Sequence, residues 1–459
     1  MVQKNLTMTG LRKNLTMIDG IAMSLAAISP ATITLAISLS AQSSIRAAPL
    51  TFLIAMITMI FVALAFCMMA RKVVSAGSVF AYLSQLANPG LGFMGGWAMI
   101  LCYITVGSTS SAIAGSTIAR AFTKEDPPTI LWISIAAGVL ILSSLIACRS
   151  TKLATRLMLI ISAICLIPLV YLSWTILHQL PSLSLVPFVP DHDVTISGIA
   201  YGVVVAIFAY TGFESASTLG EEISEPTRTI PIAMLGTTIV SGVFFVFTSY
   251  AQVLGYGLDH TNDLLQDLNP YHFLAIKFVS PGFATVVDFA VGLGASLASL
   301  ASIIAAARIL FALGRSGSGK LFGTVDPRYG TPVQATLFVF MACLLGLLFW
   351  GTLLGASKYN NYGGTVSALS FIVVYLAVMV VAAMIAIRLH KKVLVLTCLT
   401  GIAALCWSFY ASLFPVPEFP MNFFPYIVLL WLECGGVILF LKPSLSFSPS
   451  RESQGETLK

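Results

Sequence analysis

The chain has 459 residues, of which 58% are hydrophobic and only 9% are charged. A soluble domain carries about 25% charged residues, so this composition excludes a soluble globular protein and predicts a chain that lies in the lipid bilayer. The net charge of +6 does not indicate nucleic-acid binding, because the Lys and Arg residues are scattered between apolar runs. We therefore expect the bilayer as a partner and no nucleic acid.

Twelve apolar runs of ~20 residues are each long enough to cross a hydrocarbon core of ~30 Å. A polar segment, 1–17, precedes them, and a polar tail, 442–459, with the composition of a disordered segment follows them. We expect both polar segments in the cytoplasm, on either side of one twelve-helix domain at 18–441. The predicted spans are numbered 1 to 12 and lie near 18–40, 48–70, 91–118, 129–148, 155–178, 196–219, 231–255, 282–313, 332–354, 363–387, 392–414 and 422–441.

The distribution of Lys and Arg predicts the orientation of these spans. With the N-terminus in the cytoplasm, 5 of the 24 Lys and Arg residues fall outside and the other 19 fall inside. This is a strong positive-inside bias. It predicts a multi-pass protein of the inner (cytoplasmic) membrane with both termini in the cytoplasm, and it favours an even number of spans. The five outside residues are Arg46, Arg120, Lys124, Lys277 and Lys358.

Two spans contain residues that interrupt a helix. In span 1, Pro30 lacks a backbone donor and clashes with the preceding turn, and in span 6, Gly212 is a poor helix residue. Irregular backbone at membrane depth is tolerated only where it is buried in protein or lines a cavity. A simple proline kink and a glycine packing contact would explain either feature alone. Polar side chains accompany both interruptions, namely Ser29, Thr32, Tyr210, Thr211, Glu214 and Ser215.

The positions of the two breaks suggest a binding site. Spans 1 and 6 each begin a set of five spans, and two inverted five-helix repeats would bring the breaks together at the midplane. Backbone N–H groups freed there would bind a carboxylate, and freed carbonyls would bind an ammonium, which suits a small zwitterionic substrate. Repeat one would cover about 18–178 and repeat two about 196–388, with helices 11 and 12 at about 392–441 outside both. The predicted substrate-binding residues are Ala27, Ile28, Ser29, Ala31, Thr32, Ala209, Tyr210, Thr211 and Gly212.

One stretch resembles a known family. Residues 212–231 read GFESASTLGEEISEPTRTIP and are similar to the sixth-span signature of the amino acid–polyamine–organocation (APC) superfamily. Residues 75–82 with 92–97 resemble the second loop and third span of that family. Residues 307–317 resemble the end of its eighth span, and residues 326–332 resemble the lead into its ninth. The chain is similar to an amino acid permease of this superfamily over most of its length.

The resemblance implies an all-α membrane protein of the leucine-transporter type, with two inverted five-helix repeats plus two C-terminal helices. It also implies alternating access and a substrate held by spans 1 and 6. Many members have a Gly-x-Gly break in span 1, whereas this chain has Ala-Ile-Ser-Pro-Ala-Thr at 27–32. The substrate therefore stays open.

The resemblance also implies a coupling ion, H⁺ or Na⁺, and no other cofactor. In proton-coupled relatives a lysine in span 5 can replace a sodium ion, and the membrane-depth part of span 5 here has no Lys. Span 8 has Ser296, Ser299 and Ser302, and we expect Ser299 and Ser302 with carbonyls of span 1 as the place for Na⁺. The alternative for these serines is close helix packing by small residues.

Charged residues inside spans are costly and are commonly functional. Glu214 lies beside the break in span 6, where it would gate, couple or cap the second half of the helix. Asp288 lies at the start of span 8, where a helix-start or surface role is favoured. Glu433 in span 12 lies outside the repeats, so a peripheral or dimer contact is favoured. Arg308 is expected to snorkel or to pair with a carboxylate.

The leading prediction is a secondary active amino acid symporter and not an enzyme. A polyamine or organic-cation transporter is an alternative, although only Glu214 would supply an acidic group for it. An amino acid exchanger of the same fold is another alternative. A membrane-embedded enzyme would need His, Asp and Glu clustered at membrane depth, and a sensor would need an attached signalling domain. The oligomeric state is open.

Overall fold

The computed structural model describes residues 11–35, 44–123, 127–189, 196–258, 263–264, 267, 269–318, 321–414, 416–417 and 419–441. Within these residues the chain is helical, and eleven helices are long and apolar enough to cross a membrane. They correspond to predicted spans 2 to 12, because a mean hydropathy high enough for the bilayer interior continues over about 20 residues in each. Their bounds are Ala48–Ala70, Pro89–Thr123, Thr129–Arg149, Thr151–Gln179, Gly198–Leu219, Pro226–Tyr256, Pro281–Leu313, Val333–Leu354, Ala356–Arg388, Lys392–Leu413 and Phe424–Leu441.

The region predicted as span 1 consists of two short helices, Met17–Ile28 and Pro30–Ile33. The remainder of that predicted span, 36–40, lies outside the described residues, as do 1–10 of the N-terminal segment and the whole tail at 442–459. The count of twelve spans and the two inverted repeats therefore remain predictions. The eleven described helices are by themselves sufficient to identify the chain as a multi-pass membrane protein.

Span 8 lies at the centre of the bundle. Its most apolar window is 100% buried, whereas the corresponding windows of spans 9, 11 and 12 are only 22%, 22% and 17% buried. Small residues allow this central position, because they let neighbouring backbones approach closely. A Cβ atom on Gly292 would lie 2.6 Å from Ile118 of span 3, and one on Gly294 would lie 2.8 Å from Ala31 of span 1. Spans 1 and 3 therefore pack directly on span 8.

The helix ends define two sides of the bundle. One side, which we call the basic side, carries an Arg at or just after the ends of spans 2, 4, 8 and 10, namely Arg71, Arg149, Arg315 and Arg388. The chain before span 1 is attached to this side, because the Leu15 amide donates to the Glu222 carbonyl over 3.1 Å. The other side, which we call the opposite side, carries a helix, Pro270–Phe278, within the loop between spans 7 and 8.

Candidate substrate-binding site

The helix of span 1 is interrupted at Ser29. The first helix ends at Ile28, and Ser29 adopts a left-handed conformation with φ 48° and ψ 67° before Pro30 begins the next helix. A non-glycine residue in this region costs roughly 1–3 kcal/mol and persists only where its surroundings hold it. Here the Ser29 and Thr32 hydroxyl groups are hydrogen-bonded over 2.7 Å. The predicted break is confirmed.

The helix of span 6 is interrupted at Gly212. The α-helix ends at Ala209, Gly212 has φ 95°, and the chain continues as a 3₁₀-helix, Phe213–Leu219. The Phe208 carbonyl accepts both the backbone amide and the hydroxyl of Thr211, over 3.1 and 2.7 Å, at the end of this helix. This second predicted break is also confirmed.

The two breaks contact each other. A Cβ atom on Gly212 would lie 2.9 Å from the Cβ of Ala27 and 3.1 Å from its carbonyl oxygen, so a side chain does not fit between them. Hydrogen bonds join the same segments, because the Ser24 hydroxyl donates to the Phe213 carbonyl over 2.6 Å and Ser215 donates to the Met23 carbonyl over 3.2 Å. The arrangement that the sequence predicted, with both breaks face to face, is therefore present.

A cavity of about 170 Å³ lies beside the breaks. Most of its walls come from spans 1, 3, 6 and 10, with single residues from spans 8, 11 and 12, and it extends to Arg120 and Asp267 on the opposite side. Five of the predicted substrate-binding residues line it: Ala27, Ile28, Ser29, Thr32 and Thr211. The lining at membrane depth combines apolar side chains with hydroxyl and amide groups, the composition of a site for a small polar molecule.

Four predicted substrate-binding residues do not line this cavity. Ala31 packs on Gly294, and Gly212 packs on Ala27. Tyr210 is buried and donates through its hydroxyl to the Phe52 carbonyl of span 2 over 2.9 Å, and Ala209 is also buried. These residues hold the shape of the breaks.

The sequence analysis did not identify the walls that spans 3 and 10 contribute. Span 10 begins with polar residues, and three of them, Ser357, Asn361 and Thr365, are spaced four apart and line the cavity. Thr109 and Ser110 of span 3 face the same space. A search for polar residues at helical spacing within apolar runs would have found these walls.

Glu214 is fully buried and lies between two tyrosines. The hydroxyl of Tyr103 in span 3 donates to its Oε1 over 2.7 Å, and the hydroxyl of Tyr375 in span 10 donates to its Oε2 over 2.8 Å. The carboxyl group is not part of the cavity lining. It therefore connects the broken span 6 to two neighbouring spans.

Two serines of span 8 face span 3, and the buried Ser302 hydroxyl has no hydrogen-bond partner among the described residues. Ser299 donates to the carbonyl of Gly107 in span 3 over 2.8 Å, and the Cβ of Ser302 would lie 3.4 Å from a Cβ on the same glycine. Ser296 donates to the Gly292 carbonyl of its own helix over 2.9 Å. Gly294 of span 8 packs on the break, and Ala298 of the same helix lines the cavity beside it.

A second, much smaller cavity of about 10 Å³ lies behind the break in span 1. Polar side chains of two spans face it, Ser29 of span 1 and Ser162 of span 5, and Gly294 of span 8 closes it. The volume is just enough for a particle of about the size of one water molecule.

The sequence model of a family described as "Amino acid permease" matches residues 15–434. The chain belongs to the amino acid permease family. This assignment confirms the resemblance to the superfamily and favours transport over the membrane-embedded enzyme that was one alternative.

Several curated relatives are similar to this permease over most of its length. The low-affinity putrescine importer PlaP of Escherichia coli (strain K12) is 25% identical and covers 80% of this chain and 81% of its own length. The branched-chain amino acid permease BcaP of Lactococcus lactis subsp. cremoris is 25% identical and covers 70% and 72%. The methylthioribose transporter of Bacillus subtilis is 25% identical and covers 72% of each chain. The three named substrates differ, so this level of similarity does not select one.

The basic side of the permease is closed by charged residues. Arg308 of span 8 pairs with Glu222 at the end of span 6, with 2.6 Å between Nε and Oε1, and its Nη2 donates to the Thr151 hydroxyl of span 5 over 2.7 Å. The carboxylate partner predicted as one role for Arg308 is thus confirmed. Beside this pair, Arg315 binds both carboxylate oxygens of Glu221 over 2.6 and 3.2 Å.

Span 1 is tied to span 5 on the same side by a residue that the sequence analysis overlooked. Asp19 is buried in the first turn of span 1, where it accepts hydrogen bonds from the Thr16 amide over 2.8 Å and from the hydroxyl of Thr155 in span 5. The Thr16-x-x-Asp19 spacing is that of a capping box, and this is the signal that could have identified it.

On the opposite side of the permease, Asp288 is the centre of a polar cluster. It is 1% exposed and lies in the second turn of its helix, so the surface or helix-start role predicted for it is wrong. Asn269 donates to its Oδ1 over 2.8 Å, and the His272 ring lies 2.8 Å from its Oδ2. The hydrogen bond to Asp288 raises the pKa of His272, and burial opposes the shift. Asp267, which lines the cavity, accepts a hydrogen bond from the backbone N–H of Asn269 over 2.7 Å.

Proposed function

We propose that this permease is a secondary active transporter that moves an amino acid across the cytoplasmic membrane by alternating access, as a proton- or sodium-coupled symporter. The observation that carries the proposal is the contact between Gly212 and Ala27 beside a polar cavity. Two interrupted helices that meet at membrane depth can bind a charged group through backbone dipoles, without a charged side chain.

The geometry of the breaks favours the ammonium group of a substrate. The first helix of span 1 ends at Ile28, and the helix of span 6 ends at Ala209, so the carbonyl groups of both last turns lie beside the cavity. A helix C-terminus carries about −0.5 of an elementary charge and attracts a cation. Hydroxyl groups of Ser29, Thr32 and Thr211 in the lining can donate to a carboxylate.

The charges of the lining favour an amino acid over a polyamine. Among the lining residues that the structure describes, only Arg120 and Asp267 carry a charge, and both lie towards the opposite side of the cavity. Glu214, the acidic group that a polyamine site would use, is bound to Tyr103 and Tyr375 away from the lining. A diamine would bring two ammonium groups into this space, and buried charges are costly unless they are paired. The polyamine transporter and the exchanger remain the alternatives.

The positive-inside bias assigns the basic side to the cytoplasm, with both termini there. The cavity then leads to the outside, and the pair of Arg308 with Glu222 closes the cytoplasmic end. In alternating access this pair would separate when the cavity opens inward. Whether the net movement is uptake or export follows from the gradients and not from this geometry.

For the coupling ion, the small cavity between Ser29 and Ser162 is a second candidate place for Na⁺ beside Ser299 and Ser302. Hydroxyl and carbonyl oxygens are the ligands that hard cations prefer, and both are close to the break there. Ser299 donates to the Gly107 carbonyl, which leaves its oxygen lone pairs free for an ion, and the buried Ser302 hydroxyl has no hydrogen-bond partner among the described residues. Coupling to H⁺ instead of Na⁺ is the alternative within this proposal.

Purified protein in liposomes tests the proposed function. We expect accumulation of one labelled amino acid when an inward H⁺ or Na⁺ gradient is imposed, and no comparable accumulation of labelled putrescine. Accumulation of putrescine alone would assign the polyamine function. Exchange of amino acids at a rate that does not change with either gradient would contradict the symporter and indicate an exchanger.

A further inference from the structure

Spans 2, 10 and 11 pack on one another, and one glycine marks their common contact. A Cβ atom on Gly401 of span 11 would collide with the side chain of Met379 in span 10, and it would lie 3.4 Å from the Cβ of Phe61 in span 2. These three residues therefore lie at about the same depth. From this level each helix runs about 14–15 Å, at 1.5 Å per residue, to its end on the basic side. The three helix ends consequently lie side by side at one depth.

All three helix ends carry basic side chains. Two follow the last turn of span 2, one ends span 10, and two stand at the start of span 11. The turn between spans 10 and 11 is tight, because His390 adopts a left-handed conformation with φ 55° and the Lys391 amide donates to the Ala386 carbonyl over 3.0 Å. We call this group the basic cluster, and its members are Arg71, Lys72, Arg388, Lys391 and Lys392.

The charges of the basic cluster are not neutralised by the part of the chain that the structure describes. All five side chains are exposed, and none of them forms an ion pair or a side-chain hydrogen bond within that part. The carboxylates of the basic side that do form ion pairs are Glu221 and Glu222, and they bind Arg315 and Arg308. The basic cluster therefore needs a counter-ion from elsewhere.

The positive-inside bias alone does not account for this arrangement. It requires basic residues in cytoplasmic loops, and the turn between spans 4 and 5, with Arg149 and Arg156, satisfies it. It does not require the basic residues of separate loops to converge. Arg71 and Lys392 belong to separate loops that are far apart in the chain, and the packing of spans 2, 10 and 11 brings them to one place.

The basic cluster lies at the level of phospholipid headgroups. Span 2 has 23 residues, so it is about 34 Å long and slightly exceeds the ~30 Å hydrocarbon core, which places the residues after its last turn among the headgroups. Apolar side chains beside the cluster face away from the bundle: Ile387, Val393 and Leu396 are 58%, 81% and 66% exposed. A ligand bound to the cluster can therefore contact hydrocarbon-facing side chains with an apolar part.

We propose that the basic cluster binds the headgroup of an anionic phospholipid, whose acyl chains lie along spans 10 and 11. Phosphate oxygens accept paired hydrogen bonds from the guanidinium groups of Arg71 and Arg388, and the lysines add point charges. Each Lys or Arg near an anionic membrane surface strengthens binding roughly fivefold. A soluble phosphate would match the charge but would leave Val393 and Leu396 without a partner. The inference needs only the membrane placement of these spans and does not rest on the proposed transport function.

Native mass spectrometry of purified, delipidated protein titrated with phosphatidylglycerol or phosphatidylcholine tests the proposal. We expect phosphatidylglycerol to bind the wild type more tightly than phosphatidylcholine does. Lys391→Gln combined with Lys392→Gln should weaken phosphatidylglycerol binding at least about tenfold, because two of the five charges are lost. The matched control, Arg149→Gln combined with Arg156→Gln, removes two exposed charges at the turn between spans 4 and 5 and should leave binding unchanged. Equal weakening in both double variants, or no preference for phosphatidylglycerol, would overturn the proposal.

Two further arms separate the lipid from a soluble anion and from a misfolded variant. Inorganic phosphate in the millimolar range should leave phosphatidylglycerol bound, and its displacement would assign a soluble anion to the cluster instead. Lys391→Arg combined with Lys392→Arg keeps both charges and should retain wild-type binding. Loss of binding in this variant would contradict recognition by charge.

Photo-crosslinking gives a readout that needs no variant. Phosphatidylglycerol with a photoactivatable acyl chain should label the wild type mainly in spans 10 and 11, near Val393 and Leu396, when the labelled peptides are identified by mass spectrometry. Labelling of equal strength on spans 9 and 12, whose surfaces are also largely exposed, would indicate non-specific contact with lipid and contradict a defined site.

Discussion

Arg308 and Glu222 form an ion pair, with 2.6 Å between Nε and Oε1, and both side chains are almost completely buried. Spans 5, 6 and 8 meet there, because Thr151 hydrogen-bonds both partners. Two charges removed from water are stable only when they stay paired, so this contact holds the basic side closed more firmly than a surface ion pair would.

Removing one partner of this pair should destabilise the protein strongly. Glu222→Gln leaves the Arg308 charge buried without its counter-charge, and we expect a loss of about 3–5 kcal/mol in the free energy of unfolding. The neighbouring Glu221→Gln weakens the more exposed pair with Arg315, whose side chain is 28% exposed, and keeps an oxygen that can accept from the Ala76 amide, so it should cost about 1 kcal/mol or less. Thermal unfolding in one detergent measures both variants. Equal losses would mean that the buried pair contributes no more than the surface pair.

Glu214 should be essential for transport, because it joins span 6 to two other spans. Glu214→Gln keeps the size of the side chain but replaces one acceptor oxygen with an NH₂ group, so one of the two tyrosine hydroxyls loses its acceptor. We expect the initial rate of uptake into liposomes to fall at least about tenfold, equivalent to ~1.4 kcal/mol. Glu433→Gln, which changes an exposed carboxyl group of span 12, should keep most of its activity. Equal rates in the two variants would exclude Glu214 from the mechanism.

Gly212 should tolerate no side chain. Gly212→Ala places a Cβ 2.9 Å from Ala27 in a backbone with φ 95°, and we expect a loss of about 1–3 kcal/mol of stability together with loss of transport. Gly236→Ala is the matched control, because it lies within the helix of span 7 and nothing stands within 4 Å of its new Cβ. That control should be neutral or stabilise by about 0.5–1 kcal/mol. Normal uptake by Gly212→Ala would show that the contact between the breaks is not required.

External pH should act on the His272–Asp288 contact. The pKa of His272 is raised, above all by its hydrogen bond to Asp288, with Asp267 also raising it and Arg120 lowering it. A raised pKa in the folded protein means that the stabilisation is fully present below the unfolded value of about 6.5 and is lost as pH rises through the folded value. The Tm of the wild type should therefore exceed that of His272→Gln at pH 5.5 and approach it at pH 9. A constant difference across this range would contradict the predicted titration.

Sodium dependence separates the two candidate ion positions. Ser162→Ala removes a hydroxyl from the small cavity behind the break in span 1, and it should raise the Na⁺ concentration for half-maximal uptake several-fold, since one of few ligand oxygens is lost. Ser299→Ala removes only a hydrogen bond to Gly107 and should leave that concentration unchanged. The reverse result would restore the serines of span 8 as the site. Wild-type uptake that ignores Na⁺ would assign the coupling to protons.

The membrane-spanning helices were the most predictable part of this structure. Span 2 was predicted at 48–70 and is observed at Ala48–Ala70, because hydropathy dominates wherever lipid is the solvent. Span 10 begins at Ala356 instead of near 363, because its first turns carry polar side chains that face the cavity. A prediction from apolar residues alone therefore misses the part of a helix whose polar side chains face water or substrate.

The partners of the polar residues were much less predictable. Tyr103 and Tyr375 lie 111 and 161 residues from Glu214, and no local pattern connects them. The break at Gly212 was visible because glycine and its polar neighbours act on the local backbone. Ser299 and Ser302 were placed correctly on span 8, but the side of the helix that meets span 1 depends on packing, which puts Gly294 there.

The central position of span 8 has a consequence for how the protein is made. Arg308 emerges from the ribosome 86 residues after Glu222 and 157 residues after Thr151, so both of its partners already exist when it enters the membrane. A helix that ends up surrounded by protein must first find its place among neighbours, and this one carries a cation that only an earlier helix end can neutralise. The chain therefore presents the carboxylate of Glu222 before the Arg308 side chain that it neutralises enters the membrane.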